Sequence, residues 1–344
     1  MRNQSLLVIL FLLLSFKALE AQSFKNASDY LDFIAGEQDE IVKDMWRYTK
    51  TVAHGRSDRN IGRRRKNLLK TIDEAIIKIK KADGFGSSDY KSKVLRHMQF
   101  NKNLLNQDYA KILDMKEVAE QSYDAMEAYI LAQEMADQKM EESQQQYEED
   151  LYTFASANNI EIIENDSDLG NKMKISNEVF GYYSDLYLIY FKVFINEIYL
   201  MDALERSDVS AIQQNANALH SAAVKGLTIL ENQESYNGDK SIIKATQNAF
   251  EFFIEESSDK IPQITDFLIL NEDFEKIRNT LDQMDERKRT NEQIDNYNKK
   301  VKEVNEGIKN YNVVNAEMNN KRQMVINKLN QVNAEFLDRH VPND

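Results

Sequence analysis

The sequence predicts an all-α protein made of elongated helical bundles, ending in a long coiled-coil-like helix. Only two prolines and ten glycines occur in 344 residues, and charged residues make up 29% of the chain. Apolar residues recur at steps of three and four along most of its length. Sparse helix breakers together with that spacing favour long amphipathic helices.

The first residues have the pattern of a secretion signal. Arg2 precedes an unbroken apolar run from Leu6 to Leu14, and a small residue, Ala21, ends the segment. This pattern predicts a signal peptide over 1–21, and the apolar run is too short to span a bilayer. The most apolar later segment, 186–201, carries two charged residues near its middle. We therefore expect an exported chain with no transmembrane span after signal removal.

Charge and cysteine content restrict the partners. The formal net charge is −13, and it becomes −14 without the signal because Arg2, Lys17 and Glu20 together contribute +1. An acidic chain repels phosphate backbones, so nucleic acid is not expected to bind. The absence of cysteine excludes disulfides, thiolate metal sites and the acylated cysteine of lipoproteins.

Four helices are predicted in the first half of the chain. Their periodic segments cover about 28–53, 60–82, 88–112 and 116–157, and a polar stretch from Asn158 to Gly170 interrupts the pattern. The predicted divisions are a signal peptide at 1–21, a first helical unit at 22–158, a linker at 159–170, a second helical unit at 171–270 and a coiled-coil helix at 271–344.

An offset of 150 residues relates the two halves. Arg56-Ser57-Asp58 has its counterpart in Arg206-Ser207-Asp208, and apolar landmarks such as Phe33 and Tyr183 share the same offset. Two tandem four-helix units, each burying its own core, would produce this pattern. The alternative is chance, because apolar residues of any two helices align at some shift.

The C-terminal segment has the most regular periodicity. One helix is predicted from about 271 to 338, with a length on the order of 100 Å. Its seam pairs either with the helix over 116–157 or with a second copy, making a homo-oligomer in which Asn315 and Arg322 fix the register. The seam consists of Ile294, Tyr297, Val301, Val304, Ile308, Tyr311, Asn315, Met318, Arg322, Val325, Leu329, Val332 and Phe336.

A basic run is the first candidate binding feature. It comprises Arg63, Arg64, Arg65 and Lys66, with Arg59 and Lys70 among its basic neighbours. Such a run can bind an anionic surface such as lipid headgroups or polyanionic glycans. The alternative is a solvated helix face that pairs with acidic neighbours.

An aromatic cluster is the second candidate. Eight aromatic residues lie between Phe180 and Tyr199, and core packing would account for most of them. The functional alternative is an aromatic-lined pocket for a small apolar ligand. Its lining would be Tyr183, Tyr187, Tyr190 and Phe194.

Catalytic and metal-binding patterns are lacking. The histidines His54, His97, His220 and His340 stand far apart, without the spacing of a zinc motif. No nucleophile, base and oxyanion arrangement is recognisable. We therefore predict a non-enzyme without cofactor, metal ion or catalytic residues.

The Ala21-Gln22 junction, the lack of cysteine and the Asn- and Lys-rich helices in two units give the chain a resemblance to a group of proteins. It resembles the uncharacterised exported helical proteins of Bacteroidetes-type Gram-negative bacteria. That resemblance implies a periplasmic or cell-surface location. We expect a non-catalytic binding or scaffold protein whose partner is a protein or an envelope component, or alternatively a periplasmic bundle that binds a small ligand in the aromatic pocket.

Overall fold

The computed structural model describes residues 23–54, 57–86, 89–163 and 168–343. These residues form helices and connecting turns, and they include one isolated β-bridge, between Tyr236 and Asp239. The all-α prediction is thus confirmed. The predicted signal peptide lies outside the described residues. No helix within the described ranges is long and apolar enough to cross a membrane.

Two pairs of successive helices are joined by π-helical turns, with no loop between them. The turn Leu104–Asp108 joins α3 to α4, and the turn Glu256–Lys260 joins α8 to α9. The helices are, in chain order, α1 (Ala27–His54), α2 (Asp58–Lys81), α3 (Asp89–Asn103), α4 (Tyr109–Ala119), α5 (Tyr123–Ala157), α6 (Asp168–Glu205), α7 (Val209–Glu231), α8 (Ser241–Glu255), α9 (Ile261–Asp282) and α10 (Asn291–His340).

The chain forms two compact units. The first consists of the described residues within 1–113 and 132–173, and the second of those within 114–131 and 174–344. In the first unit α1 and α2 form an antiparallel pair, in which Lys78 contacts Glu37 at 2.9 Å and Thr71 donates to Asp44 at 2.6 Å.

The apolar side of α2 lies in the core of the first unit. Leu68, Ile72, Ile76 and Ile79 are all buried, as their spacing predicts. Tyr30 from α1 is buried in the same core. Burying each aliphatic side chain contributes roughly 1.5–3 kcal/mol. This core fixes which side of α2 faces solvent.

In the second unit the seam of α10 packs against α8 and α9. Helices α9 and α10 are antiparallel, since the ring of Phe274 lies 5.6 Å from that of Tyr297 and the ring of Phe267 lies 4.8 Å from that of Tyr311. The buried residues of α10 are Val304, Val314, Met318, Leu329 and Phe336, and all except Val314 belong to the predicted seam.

The predicted long C-terminal helix is confirmed, but it begins at Asn291 and not near residue 271. Helix α9 ends at Asp282 and α10 begins at Asn291, with a short 3₁₀ turn between them. The Thr290 hydroxyl accepts from the Gln293 backbone, and the Gln293 side chain accepts from the Thr290 backbone, forming a capping box. A capping box satisfies amide groups at a helix start, so it favours a new helix here.

Helix boundaries recur at nearly constant offsets along the chain. Helices α2 and α7 begin at Asp58 and Val209, which are 151 residues apart. The π-turns begin at Leu104 and Glu256, which are 152 residues apart, and α3 and α8 begin with the same separation. A tandem duplication predicts such a repeated order of elements.

Candidate functional site

A row of exposed basic side chains follows one side of α2. Arg59, Arg63, Lys66 and Lys70 are all exposed. They are separated by four, three and four residues, which places them above one another on a single helix face. We call these four residues the cationic stripe.

The predicted basic run divides between this stripe and the interior. Arg63 and Lys66 belong to the stripe, whereas Arg65 is half-buried and its Nη1 donates to the carbonyl oxygen of Leu105 at 3.2 Å. Leu105 lies in the first π-turn, so this hydrogen bond connects α2 to that turn. Arg65 therefore stabilises the fold.

Arg64 is also half-buried and lies near an acidic group. Burial would raise the pKa of Asp44, but hydrogen bonds from Thr71 and Arg47 together with the charge of Arg64 lower it. Within the predicted run, only Arg63 and Lys66 are thus available to a large external ligand.

The predicted aromatic pocket is almost filled by its own side chains. Tyr183, Tyr187 and Tyr190 line a cavity of about 10 Å³, which holds roughly one water molecule. Phe194 stacks on Tyr190 with ring centroids 5.2 Å apart and also lies beside Phe253. Burial raises the pKa of Tyr187 to about 12. A small organic ligand would require these side chains to move, so the pocket stays a prediction.

A buried charge cluster lies in the second unit. Arg322 on α10 forms ion pairs with Glu197 on α6 and with Glu256 at the start of the second π-turn. The side chains are 13%, 2% and 0% exposed, respectively. Burial, and next the charge of Glu197, raise the pKa of Glu256, and Arg322 counteracts this only in part. Glu256 therefore retains a proton more tightly than a free carboxyl group does.

The sequence does not predict this cluster, although one of its members lies on the predicted seam. Arg322 was identified as a polar seam position, and the structure gives it partners within its own chain. Glu197 and Glu256 were not identified as a pair, because they are 59 positions apart on different helices. The sequence carries no local signal for such an approach.

His97 occupies a polar position in the core of the first unit. The Asn101 amide donates to its Nε2 at 3.1 Å, so the hydrogen resides on Nδ1, which lies 3.0 Å from the Ser143 carbonyl oxygen. Its ring stacks on Tyr147 at 4.8 Å. Burial lowers the pKa of His97 to about 4, so the ring is neutral at physiological pH.

Metal-ligating groups do not converge in the described part of the chain. No three His, Cys, Asp or Glu side chains there lie close enough to hold an ion. His340 instead contacts Asp239 at 2.8 Å beside Arg339, where α10 ends. Comparison with known proteins finds no matching family model, no similar curated protein and no similar solved structure.

Proposed function

We propose that the chain is an exported, non-catalytic binding protein of the cell envelope. The observation that supports this function is the cationic stripe, which exposes four basic side chains on one helix face of a chain whose net charge is −13. A local cluster of positive charge on a protein of negative net charge directs that face toward an anionic partner. The envelope is the expected location because the sequence begins with a signal-like segment.

The interior chemistry supports a binding role. Arg322 is engaged by two buried carboxylates, and His97 is held neutral between Ser143 and Asn101. These groups are buried and stabilise helix packing, whereas the cationic stripe faces solvent. This distribution of groups favours binding through an exposed surface.

Fractionation of cells that produce the full-length chain tests the proposal. The mature chain should begin at Gln22, and it should sediment with the envelope in low salt. It should be released in about 1 M NaCl, where the screening length falls to ~3 Å. Retention of residues 1–21, or recovery of the chain in the cytoplasmic fraction, would contradict the proposal.

A further inference from the structure

We infer that the cationic stripe binds the headgroup surface of an anionic phospholipid bilayer, and that the protein adsorbs there without inserting. This inference rests on the proposed envelope function and names its partner. The surface is defined by Arg59, Arg63, Lys66 and Lys70, and only two of these belong to the basic run that the sequence makes conspicuous.

The charges of the stripe are available to a partner. Among the described residues, Arg59, Arg63 and Lys66 form no ion pair with a carboxylate, and Arg63 donates only to the amide oxygen of Asn60 at 3.2 Å. Lys70 lies 3.6 Å from Glu74, and both side chains are more than half exposed. Such an exposed pair contributes little, so Lys70 exchanges Glu74 readily for an external anion.

The shape of the stripe fits a broad surface better than a small ligand. The four side chains extend over twelve residues of a convex helix face, a length of about 17 Å. A convex face does not enclose a ligand, so several anions must be presented together by a large partner. Mobile lipid headgroups can adjust to the spacing of the cations, and they require no matching arrangement in advance.

Burial of the apolar side of α2 excludes insertion of this helix as long as the unit stays folded. Interfacial helices insert by placing a wide apolar face among acyl chains. In α2 that face contributes Leu68, Ile72 and Ile79 to the core of the first unit. Ile77, at 50% exposed, is the apolar side chain that continues the line of the stripe. One such residue is too little for insertion, so binding should be electrostatic and reversible by salt.

A second copy of the chain is the competing occupant. Helix α5 exposes Glu141, Glu142, Glu148 and Glu149, which could face the stripe of another molecule. Three of these glutamates already accept hydrogen bonds within their own helix, from Gln138 and Gln144 at 2.9 Å and from Gln146 at 3.4 Å. A bilayer presents many more anions per unit area, and the observations therefore favour lipid.

The test is a vesicle co-sedimentation assay with the purified mature chain. Vesicles of pure phosphatidylcholine are compared with vesicles that also contain phosphatidylglycerol, in low salt and in about 1 M NaCl. The stripe variant carries Arg59→Gln, Arg63→Gln, Lys66→Gln and Lys70→Gln. The matched control variant carries Lys276→Gln, Arg278→Gln, Lys299→Gln and Lys321→Gln, which remove the same charge from exposed positions of the second unit.

We expect binding only to the anionic vesicles, and only in low salt. Each basic residue near such a surface strengthens binding roughly fivefold, so the stripe variant should lose several hundred-fold in affinity while the control variant loses little. Circular dichroism should show equal helix content in all three proteins. Equal binding of the two variants, or equal binding to neutral vesicles, would overturn the inference.

Two further outcomes separate this inference from the proposed function. Salt-sensitive association with the envelope, without binding to anionic vesicles, would refute lipid as the partner and leave the envelope function intact. A mass measurement that detects a dimer in the wild type and a monomer in the stripe variant would instead assign the stripe to a second copy and overturn the inference.

Discussion

Replacing Arg322 by methionine should strongly destabilise the second unit. Methionine has a similar reach but no charge, so the variant leaves Glu197 and Glu256 buried without their counterion. Removing one partner from a buried ion pair costs about 3–5 kcal/mol, because a charge is left uncompensated in the interior. For a unit of this size, that corresponds to a decrease in Tm of roughly 6–20 °C.

Urea unfolding followed by far-ultraviolet circular dichroism measures this loss. Trp46, the only tryptophan, lies in the first unit, so its fluorescence shows in the same sample whether that unit unfolds at the same urea concentration. Lys321→Met is the matched control. Lys321 is the adjacent cation, but its pair with Glu255 is about half exposed and is worth ~0–1 kcal/mol.

Protonation provides a second check on the same cluster. The defect of the Arg322→Met variant should shrink as the pH falls, because protonated carboxyl groups need no counterion. Adding Glu197→Gln and Glu256→Gln to the variant should recover much of the stability, since no buried charge then remains. If Arg322→Met alone stays within about 1 kcal/mol of the wild type, the guanidinium does not occupy the buried position between the two carboxylates.

Two other predictions concern packing and pH in the second unit. Gly226→Ala should destabilise the protein by about 1–3 kcal/mol, because a Cβ there would lie 2.5 Å from the ring of Phe250. Gly181→Ala, whose Cβ would meet open space, should instead stabilise it by about 0.5–1 kcal/mol. Thermal unfolding of the two variants tests both predictions. The raised pKa of Glu256 means that its stabilising contribution is complete below its ordinary pKa of about 4.3 and is lost as the pH rises towards the folded-state value. As the pH rises from about 5 to 8, the free energy of unfolding measured with urea should therefore fall less for Glu256→Gln than for the wild type. An equal fall in both proteins would refute the raised pKa of Glu256.

The periodicity of the sequence predicted most of the helices and their buried sides. Ile72 and Ile79 of α2, and Leu329 and Phe336 of α10, occupy core positions that their three- and four-residue spacing indicates. The break between α9 and α10 was missed, although Thr290 and Gln293 carry the local capping signal. An apolar pattern can continue in register across two antiparallel helices, so periodicity alone did not locate the turn.

The basic run shows that residues adjacent in the sequence do not together form one exposed face of a helix. Successive residues of a helix point about 100° apart, so four neighbours cannot all face the same partner. Arg65 turns toward the Leu105 carbonyl, while Arg59 and Lys70 complete the exposed face. Helical spacing around the run was the signal that could have found the stripe before the fold was known.

The buried acid pair was beyond sequence reasoning for a different reason. Glu197 lies in an aromatic-rich segment and Glu256 begins a π-turn. Either glutamate, taken alone, is an ordinary helical residue. The effect of Glu197 on the pKa of Glu256 depends on how closely the fold brings the two groups together, which composition and spacing do not determine.

Retention of the stripe variant in the envelope is the most direct test of the binding function. The wild type, the stripe variant and the control variant are produced in the same cells, and the share of each that sediments with the envelope in low salt is measured. The wild type and the control variant should remain with the envelope, while the stripe variant should move to the soluble exported fraction. Equal retention of all three would contradict attachment through α2.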